Sequence, residues 1–140
     1  METLITICYA PQWEGKMRTM RRKDFIQFGI RVHKNSLLPR AASIFFPVEA
    51  ITIANHIFFR DEIHSRVLRH EVIHVLQGRE LGYVVFWFMY LKYWLIAMKE
   101  NQGNTYRAYR DIPFEKEAYL NEREPSYNYQ RPLYAWKKYR

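Results

Sequence analysis

The sequence predicts an α+β fold in which a short β-sheet or hairpin region is followed by three helices. Three observations lead to this fold class: β-branched runs lie within the first sixty residues, apolar residues at helical spacing begin at Ile63, and residues 81–98 are almost continuously apolar. The chain has 140 residues, of which 49% are hydrophobic, so it is long enough to bury a core. We therefore expect a single domain over residues 1–140.

Runs of β-branched and aromatic residues predict the strands. These runs are residues 3–9, 25–32, 43–46, 50–54 and 57–59. Pro11 stops the first run and Pro47 the third. The last two runs flank Asn55-His56, so we interpret them as a β-hairpin or a pair of short strands.

The first predicted helix follows Asp61, which is expected to cap it, and ends near Gly78. Apolar residues recur along it at spacings of three and four, as one buried stripe requires: Ile63, Val67, Leu68, Val72, Val75 and Leu76. The apolar residues are expected to pack on one side, which leaves the other side for its histidines.

Residues 81–98 predict a long helix of about 27 Å, close to the thickness of a membrane. Lys92 interrupts the stretch, and a buried core helix is also apolar all round. Three interpretations stay open: a core helix, a helix lying in a membrane interface, and a membrane span.

The polar residues 99–107 are expected to form a loop before the third helix. Asp111 is a capping acid, and Pro113 suits the first turn. We expect this helix to run through about Asn121 and to end before Pro125.

The first helix contains the HExxH pattern as His70-Glu71-Val72-Ile73-His74. Residues four apart lie on one helix face, so both imidazoles can ligate one metal ion such as Zn²⁺. Glu71 is turned about 100° from His70 and can act as general base toward a water on the ion. The other histidines, which lie outside any ligand spacing, are expected to be ordinary polar residues: His33, His56 and His64.

A third ligand is expected from the segment Phe114-Glu115-Lys116-Glu117-Ala118-Tyr119, about forty residues after His74. Its carboxylates lie near the start of the third helix, which can return to the histidines. Two other interpretations of the motif stay open. The residues can be a coincidence on a surface helix, or they can form a metal site that is catalytically idle.

With these residues the sequence resembles a small zincin-like metallopeptidase domain of the gluzincin type. Leu68-Arg69-His70-Glu71-Val72-Ile73-His74-Val75-Leu76-Gln77 is similar to the HExxHxxQ helix of short bacterial zincin-like domains. Ala50-Ile51-Thr52-Ile53 is similar to the strand and turn that usually precede that helix. The resemblance covers a core of about residues 50–122. It implies hydrolysis of peptide bonds, with Glu71 as the catalytic residue and one Zn²⁺ as the cofactor.

The same resemblance implies a ligand set of His70, His74 and Glu115, because Glu115 is the first glutamate in the family's E-x-x-A-D or E-x-E-A-N pattern. Glu117 is the runner-up, and Ala118 is the small residue that lets the two helices approach. The chain has Tyr119 where those families often have Asp or Asn to support a ligand histidine.

An oxyanion donor is also required, and its candidates are Tyr106, Tyr109, Arg110 and Tyr119. None of these residues is strongly marked, and packing or solvation is the favoured interpretation of each. Gln77 lies one turn beyond His74 and is expected either to line the cleft or to cap the helix end.

The net charge of +8 lies in the flanks of the chain. The N-terminal segment 16–40 carries +7 and the tail 123–140 carries +4, whereas residues 41–122 carry −1. The tail interleaves aromatic and basic residues and is expected to pack across its own domain, although such a pattern also suits stacking on bases or a membrane interface.

Besides a peptide or protein substrate, the basic flanks and the helix over 81–98 suggest an anionic membrane surface or a partner protein. The alternative function is therefore a peripheral membrane or interaction module with a structural or vestigial zinc site. Nucleic acid is disfavoured as a partner, since the segment holding the motif is close to neutral. The oligomeric state stays open.

Cysteine usage and the N-terminus bear on location. Cys8 is the only cysteine, so neither an intrachain disulfide nor a Cys-based zinc cluster is expected, and a reducing compartment fits best. The first residues lack the basic and apolar regions of a secretory signal. We expect a cytoplasmic location, with membrane association as an open alternative.

Overall fold

The computed structural model describes residues 4–7, 29–42 and 48–140. Its strands are β1 (Leu4–Ile7), β2 (Ile30–His33), β3 (Ala50–Ile53) and β4 (His56–Phe59). Its helices are α1 (Leu37–Ala42), α2 (Ser65–Leu81), α3 (Tyr83–Glu100), α4 (Thr105–Asp111), α5 (Pro113–Asn121), α6 (Tyr127–Gln130) and a 3₁₀ helix (Ala135–Tyr139). The predicted α+β class is confirmed.

The described strands form one sheet in the order β1-β2-β4-β3. β1 is antiparallel to β2, β2 is parallel to β4, and β3 is antiparallel to β4. The predicted hairpin is confirmed, and its turn lies at Ala54 and Asn55, where Ala54 has a φ of 54°. The second predicted strand is found only at Ile30–His33. Residues 25–28 and 43–46 lie outside the described residues.

One face of the sheet packs on α2. Alternate residues of β2 and β4 point inward, and they form one buried cluster with the apolar stripe of α2: Ile30, Val32, Ile57, Phe59, Val72, Val75 and Leu76. Removal of these side chains from water is the main stabilising term for this half of the molecule. The packing fixes the face of α2 that is left for polar residues.

Both ends of α2 differ from the prediction. His64 occupies the N-cap without a capping side-chain bond, so the expectation that Asp61 caps the helix is wrong. Asp61 instead pairs with Arg40, whose Nη2 lies 3.1 Å from its carboxylate. The helix also continues through Gly78 to Leu81, and Gly82, with a φ of 80°, ends it. A Cβ at Gly78 would lie 2.9 Å from the Tyr83 ring, so Gly78 serves close packing.

α3 is not buried all round, so the interpretation of residues 81–98 as a core helix is wrong for one of its faces. Only Phe86 and Ala97 are buried along its length. Phe86 joins a second core cluster, which it shares with Ile112, Phe114 and Trp136. None of the described helices is by itself long and apolar enough to cross a bilayer, although α2 and α3 pass that test as a pair bent by 112°.

The segment after α3 is more helical than predicted. α3 extends through the first two residues of the expected loop 99–107, and α4 takes its last three. Asn104 caps α4 by accepting a hydrogen bond from the Arg107 backbone at 3.0 Å. α5 begins at Pro113 as predicted, but its N-cap is Ile112, so the capping role given to Asp111 is wrong. The tail folds back as expected, and Trp136 of the 3₁₀ helix is fully buried.

Candidate metal centre

Two helices bring three metal-ligating side chains together. His70 and His74 lie one turn apart on α2, and Glu115 lies in the first turn of α5. The two Nε2 atoms are 3.1 Å apart, and each lies 3.2 Å from an oxygen of the Glu115 carboxylate. One ligand atom from each buried side chain falls within 4.8 Å of the others. All three predicted ligand residues therefore meet at one point, and Ala118, fully buried, lies on the same helix as Glu115.

Hydrogen bonds orient both histidines with Nε2 toward this point. Nδ1 of His70 donates to the Glu122 carboxylate at 2.9 Å, and Nδ1 of His74 donates to the side-chain oxygen of Gln77 at 2.8 Å. A carboxylate and an amide oxygen only accept hydrogen bonds, so the proton of each neutral ring is on Nδ1. Both Nε2 lone pairs then converge with the carboxylate of Glu115.

This donor set fits a divalent cation such as zinc. Two lone pairs and a carboxylate repel one another at such distances unless a cation or protons lie between them. While Nε2 of His70 carries no proton, the buried Oε2 of Glu115 accepts no hydrogen bond, which is the state expected of a ligand oxygen. Two imidazoles and one carboxylate form a common three-ligand set of catalytic zinc, which leaves a fourth position for water or substrate.

The pKa values follow from the same arrangement. Burial lowers the pKa of His70, but hydrogen bonds to Glu115 and Glu122 outweigh it and raise this pKa to about 10. Burial raises the pKa of Glu115, but His74 and His70 outweigh it and hold the pKa well below its usual range. Protons and a metal ion therefore compete for the same atoms.

Glu71 lies beside this cluster, held by the sheet. Its carboxylate is buried and accepts a hydrogen bond from Oγ1 of Thr52 on β3 at 2.7 Å. A small cavity of about 150 Å³ is lined by Glu71 together with His74 and Glu115. Glu71 thus faces the space beside the donors and is positioned for the role of general base.

Two tyrosines line the same cavity. The hydroxyl of Tyr90 on α3 donates to Oε1 of Glu115 at 2.8 Å. Tyr109 on α4 lines the cavity as well. Burial raises the pKa of both phenols well above the ordinary value, so both keep their protons at neutral pH and remain hydrogen-bond donors.

A buried polar network supports Gln77. Its side-chain nitrogen donates to the Phe114 carbonyl at 3.1 Å and to Oε2 of Glu117 at 3.0 Å. Arg131 in turn donates to Glu117 through Nε and Nη2 and to Glu80 through Nη1 and Nη2. These partners fix the amide of Gln77 so that its oxygen faces His74. Gln77 therefore neither lines the cleft nor caps the helix end.

The remaining predicted residues lie around the cluster in other roles. Glu117, the runner-up ligand, does not join the donors because it is bound to Gln77 and Arg131. Tyr119 does not hydrogen-bond to a ligand histidine, since its ring packs edge-on against His70 with centroids 4.5 Å apart. Arg110 stacks on Tyr119, its guanidinium 3.6 Å from the ring centre. Tyr106 is 65% exposed and does not line the small cavity.

Sequence reasoning missed four residues: Thr52, Tyr90, Glu122 and Arg131. Glu122 carried a usable signal, because it follows Glu115 by seven residues, which is two helical turns on the same face. The other three carried none. Their contacts depend on a strand edge, on the approach of α3 to α5, and on the return of the tail.

A larger cleft of about 1110 Å³ lies next to the cavity and shares Glu71, Trp87, Tyr90 and Tyr109 with its lining. One wall is apolar and comes from α3, through Trp87, Leu91 and Trp94. Three arginines also line the cleft: Arg66, Arg110 and Arg123. His70 and Glu71 border this cleft, whose volume is in the range of ligand-binding sites, whereas His74 and Glu115 line only the small cavity.

The profile of the eCIS core domain matches residues 11–82, just over half of the chain. The chain belongs to the eCIS core domain family. Proteins of this family are described as components of extracellular contractile injection systems. Comparison with curated proteins and with solved structures gave no match.

The eCIS core region includes α2 and ends just after it. His70, Glu71, His74 and Gln77 thus lie within the matched region, whereas Glu115 and Glu122 lie beyond it. The donor cluster is therefore assembled from the eCIS core region and from a helix that follows it. The match by itself does not identify a peptidase.

Proposed function

We propose that the chain is a zinc-dependent hydrolase that cleaves peptide bonds, with His70, His74 and Glu115 as the ligands of one Zn²⁺. The observation that carries the proposal is the convergence of two Nε2 lone pairs and a buried carboxylate on one point. When bound there, zinc supplies a Lewis acid that lowers the pKa of water to about 7 and polarises a carbonyl group.

The chain's own residues supply the proton transfers. Glu71 takes a proton from the attacking water and returns it to the leaving amine, as a carboxylate beside the reacting atoms can. Thr52 holds the Glu71 carboxylate by its hydrogen bond of 2.7 Å, which leaves the other oxygen of the carboxylate for the water. Glu71 is buried, so this hydrogen bond acts in a setting of low dielectric.

Tyr109 is the best placed donor for the developing oxyanion. It lines the cavity with Glu71 and the donors, and its raised pKa keeps the hydroxyl protonated. Tyr90 is engaged with Glu115, so its hydroxyl serves to hold that carboxylate. A peptide or protein chain is the substrate class that the volume and the apolar wall of the cleft suit.

A second candidate function is an interaction module in which a zinc site only stabilises the fold. The family description favours it, since a component of an injection system need not be an enzyme. Both candidates require the same metal ligands. They differ in whether Glu71 has a chemical role.

Replacement of Glu71 by Gln separates the two candidates. For the hydrolase, E71Q retains one zinc per chain and loses cleavage of labelled casein and of a peptide library read by mass spectrometry. The exposed Glu62→Gln variant is the matched control and keeps both zinc and cleavage. Wild-type protein that holds zinc and cleaves neither substrate contradicts the hydrolase and favours the module.

A further inference from the structure

α3 presents an exposed apolar stripe to the outside of the molecule. Val84, Phe88, Leu91 and Leu95 are 82%, 78%, 54% and 55% exposed, and their spacings of four, three and four residues place them on one side of the helix. The opposite side packs into the second core cluster through Phe86 and Tyr93. The stripe therefore faces away from the protein's own core.

Such a stripe is unusual on a protein that stays in water. Single exposed leucines are common, but a contiguous row of large apolar side chains marks a surface that something else covers. Val85, Trp87 and Ile96 of the same helix are also between 42% and 49% exposed, which widens the patch.

Charge within the patch indicates what covers it. Lys92 and Lys99 are exposed and flank the stripe, because Lys92 lies four residues after Phe88 and Lys99 four residues after Leu95. Glu100, at the last position, is the only acidic residue of α3. A long lysine stem can lie along apolar surface while its ammonium reaches a neighbouring anion.

A second copy of the chain does not suit this patch. Two stripes packed together would bring the Lys92 side chains of both copies toward one interface, where no acidic residue of the stripe offsets their like charges. The net charge of +8 adds long-range repulsion between copies. A surface with apolar depth and anionic groups at its rim matches both the side chains and the lysines.

We propose that α3 docks on an anionic lipid bilayer, with its axis along the membrane surface. Phe88, Leu91 and Leu95 enter the acyl region, while Lys92 and Lys99 reach the phosphates of the headgroups. The proposal does not depend on metal or on hydrolysis.

The docked helix also sets the orientation of the cleft. Trp87, Leu91 and Trp94 belong to α3 and form the apolar wall of the cleft. With α3 on the membrane, the cleft opens at the bilayer surface, and the polypeptides that enter it are those held next to lipid.

Cosedimentation with vesicles tests the proposal on the full chain. Vesicles of phosphatidylcholine with 30% phosphatidylglycerol are expected to bind the protein, and the triple variant V84S/F88S/L95S is expected to bind more than about tenfold more weakly. The matched control is Leu37→Ser, which removes a leucine that is 77% exposed on α1, and it keeps the wild-type affinity. Circular dichroism establishes that the variants are folded.

Tryptophan quenching by brominated lipid gives a second readout on the wild-type sequence. Trp87 and Trp94 lie on α3, so bromines on the upper acyl chain are expected to quench the protein, and Trp87→Phe is expected to reduce that quenching. This measurement keeps the proposal testable if the triple variant does not fold.

Three results would overturn the proposal. The first is no binding to the charged vesicles at low salt. The second is binding that the triple variant retains in full, which would assign attachment to the basic flanks alone. The third is that light scattering finds the wild type to be a dimer and the triple variant to be a monomer, which would assign the stripe to a second copy.

Discussion

The side-chain oxygen of Gln77 lies 2.8 Å from Nδ1 of His74, and this contact decides which nitrogen of that histidine faces Glu115. With the proton held on Nδ1, Nε2 is left as a ligand atom. Gln77 is fully buried and is fixed in turn by Glu117. The geometry of the donor cluster therefore depends on a side chain that is not itself one of the donors.

Replacement of Gln77 by Leu is expected to weaken zinc binding about 10- to 100-fold, as loss of an outer-sphere partner does at other zinc sites. The variant leaves His74 free to turn and to change its tautomer. Competition against a fluorescent zinc chelator measures the affinity. The control is Gln102→Leu, at an exposed turn position. Equal affinities in Gln77→Leu and wild type would show that His74 is oriented by something else.

Thr52→Val is expected to reduce kcat about 10- to 100-fold while KM and zinc content stay unchanged. The variant keeps the shape of the side chain and removes a hydrogen bond to a carboxylate, which is worth about 1.5–3 kcal/mol. Steady-state cleavage of a quenched fluorescent peptide provides the readout. Thr105→Val, at an exposed helix start, is the matched control. Unchanged kcat in Thr52→Val would remove the role given to this contact.

Arg131→Met is expected to lower the free energy of unfolding by about 3–5 kcal/mol. The guanidinium is buried between Glu80 and Glu117, and the variant leaves both carboxylates without their cation. Urea denaturation measures the loss. The exposed Arg123→Met variant should remain within about 0.5 kcal/mol of wild type. A change below about 1 kcal/mol in Arg131→Met would mean that the tail does not hold this network.

Removal of metal is expected to make stability depend on pH between about 6.5 and 10. In the metal-free protein, burial lowers the pKa of His70, but its carboxylate partners raise it to about 10. Because the folded-state pKa lies above the unfolded value of 6.5, this stabilisation is complete below pH 6.5 and is lost as pH rises toward 10.

Chemical denaturation in EDTA, repeated at pH 6, 8 and 10, measures this loss. His70→Ala is the control, and its stability should vary less over the same range. A metal-free wild type that grows more stable as the pH rises would contradict the arrangement of His70 between Glu115 and Glu122.

The histidine pair was predictable from a local signal, because His70 and His74 are four residues apart on an apolar-striped helix. Pro113 marked the helix that supplies the third ligand, whereas the choice of Glu115 over Glu117 came from the resemblance to gluzincins. The fold class followed in the same way from the β-hairpin and the helical periodicity. These features depend on neighbours within two or three turns of the chain.

The contacts that support the donor cluster were not predictable because they join distant segments of the chain. Arg131 meets Glu80 across 51 residues, and Thr52 meets Glu71 across 19. The exposed side of α3 was hidden for another reason: both of its sides are apolar, so periodicity does not tell the packed side from the free one. Gly78 also resembled a helix end, although it serves the close packing of Tyr83.

Metal analysis and chelator competition on wild type and Glu115→Ala test the proposed zinc ligands. We expect one zinc per wild-type chain and an affinity loss in Glu115→Ala that exceeds the loss of about 10- to 100-fold expected for Gln77→Leu. The exposed Glu124→Gln variant is expected to bind zinc as wild type does. Glu115→Ala that binds one zinc as tightly as wild type would contradict the proposed ligand set.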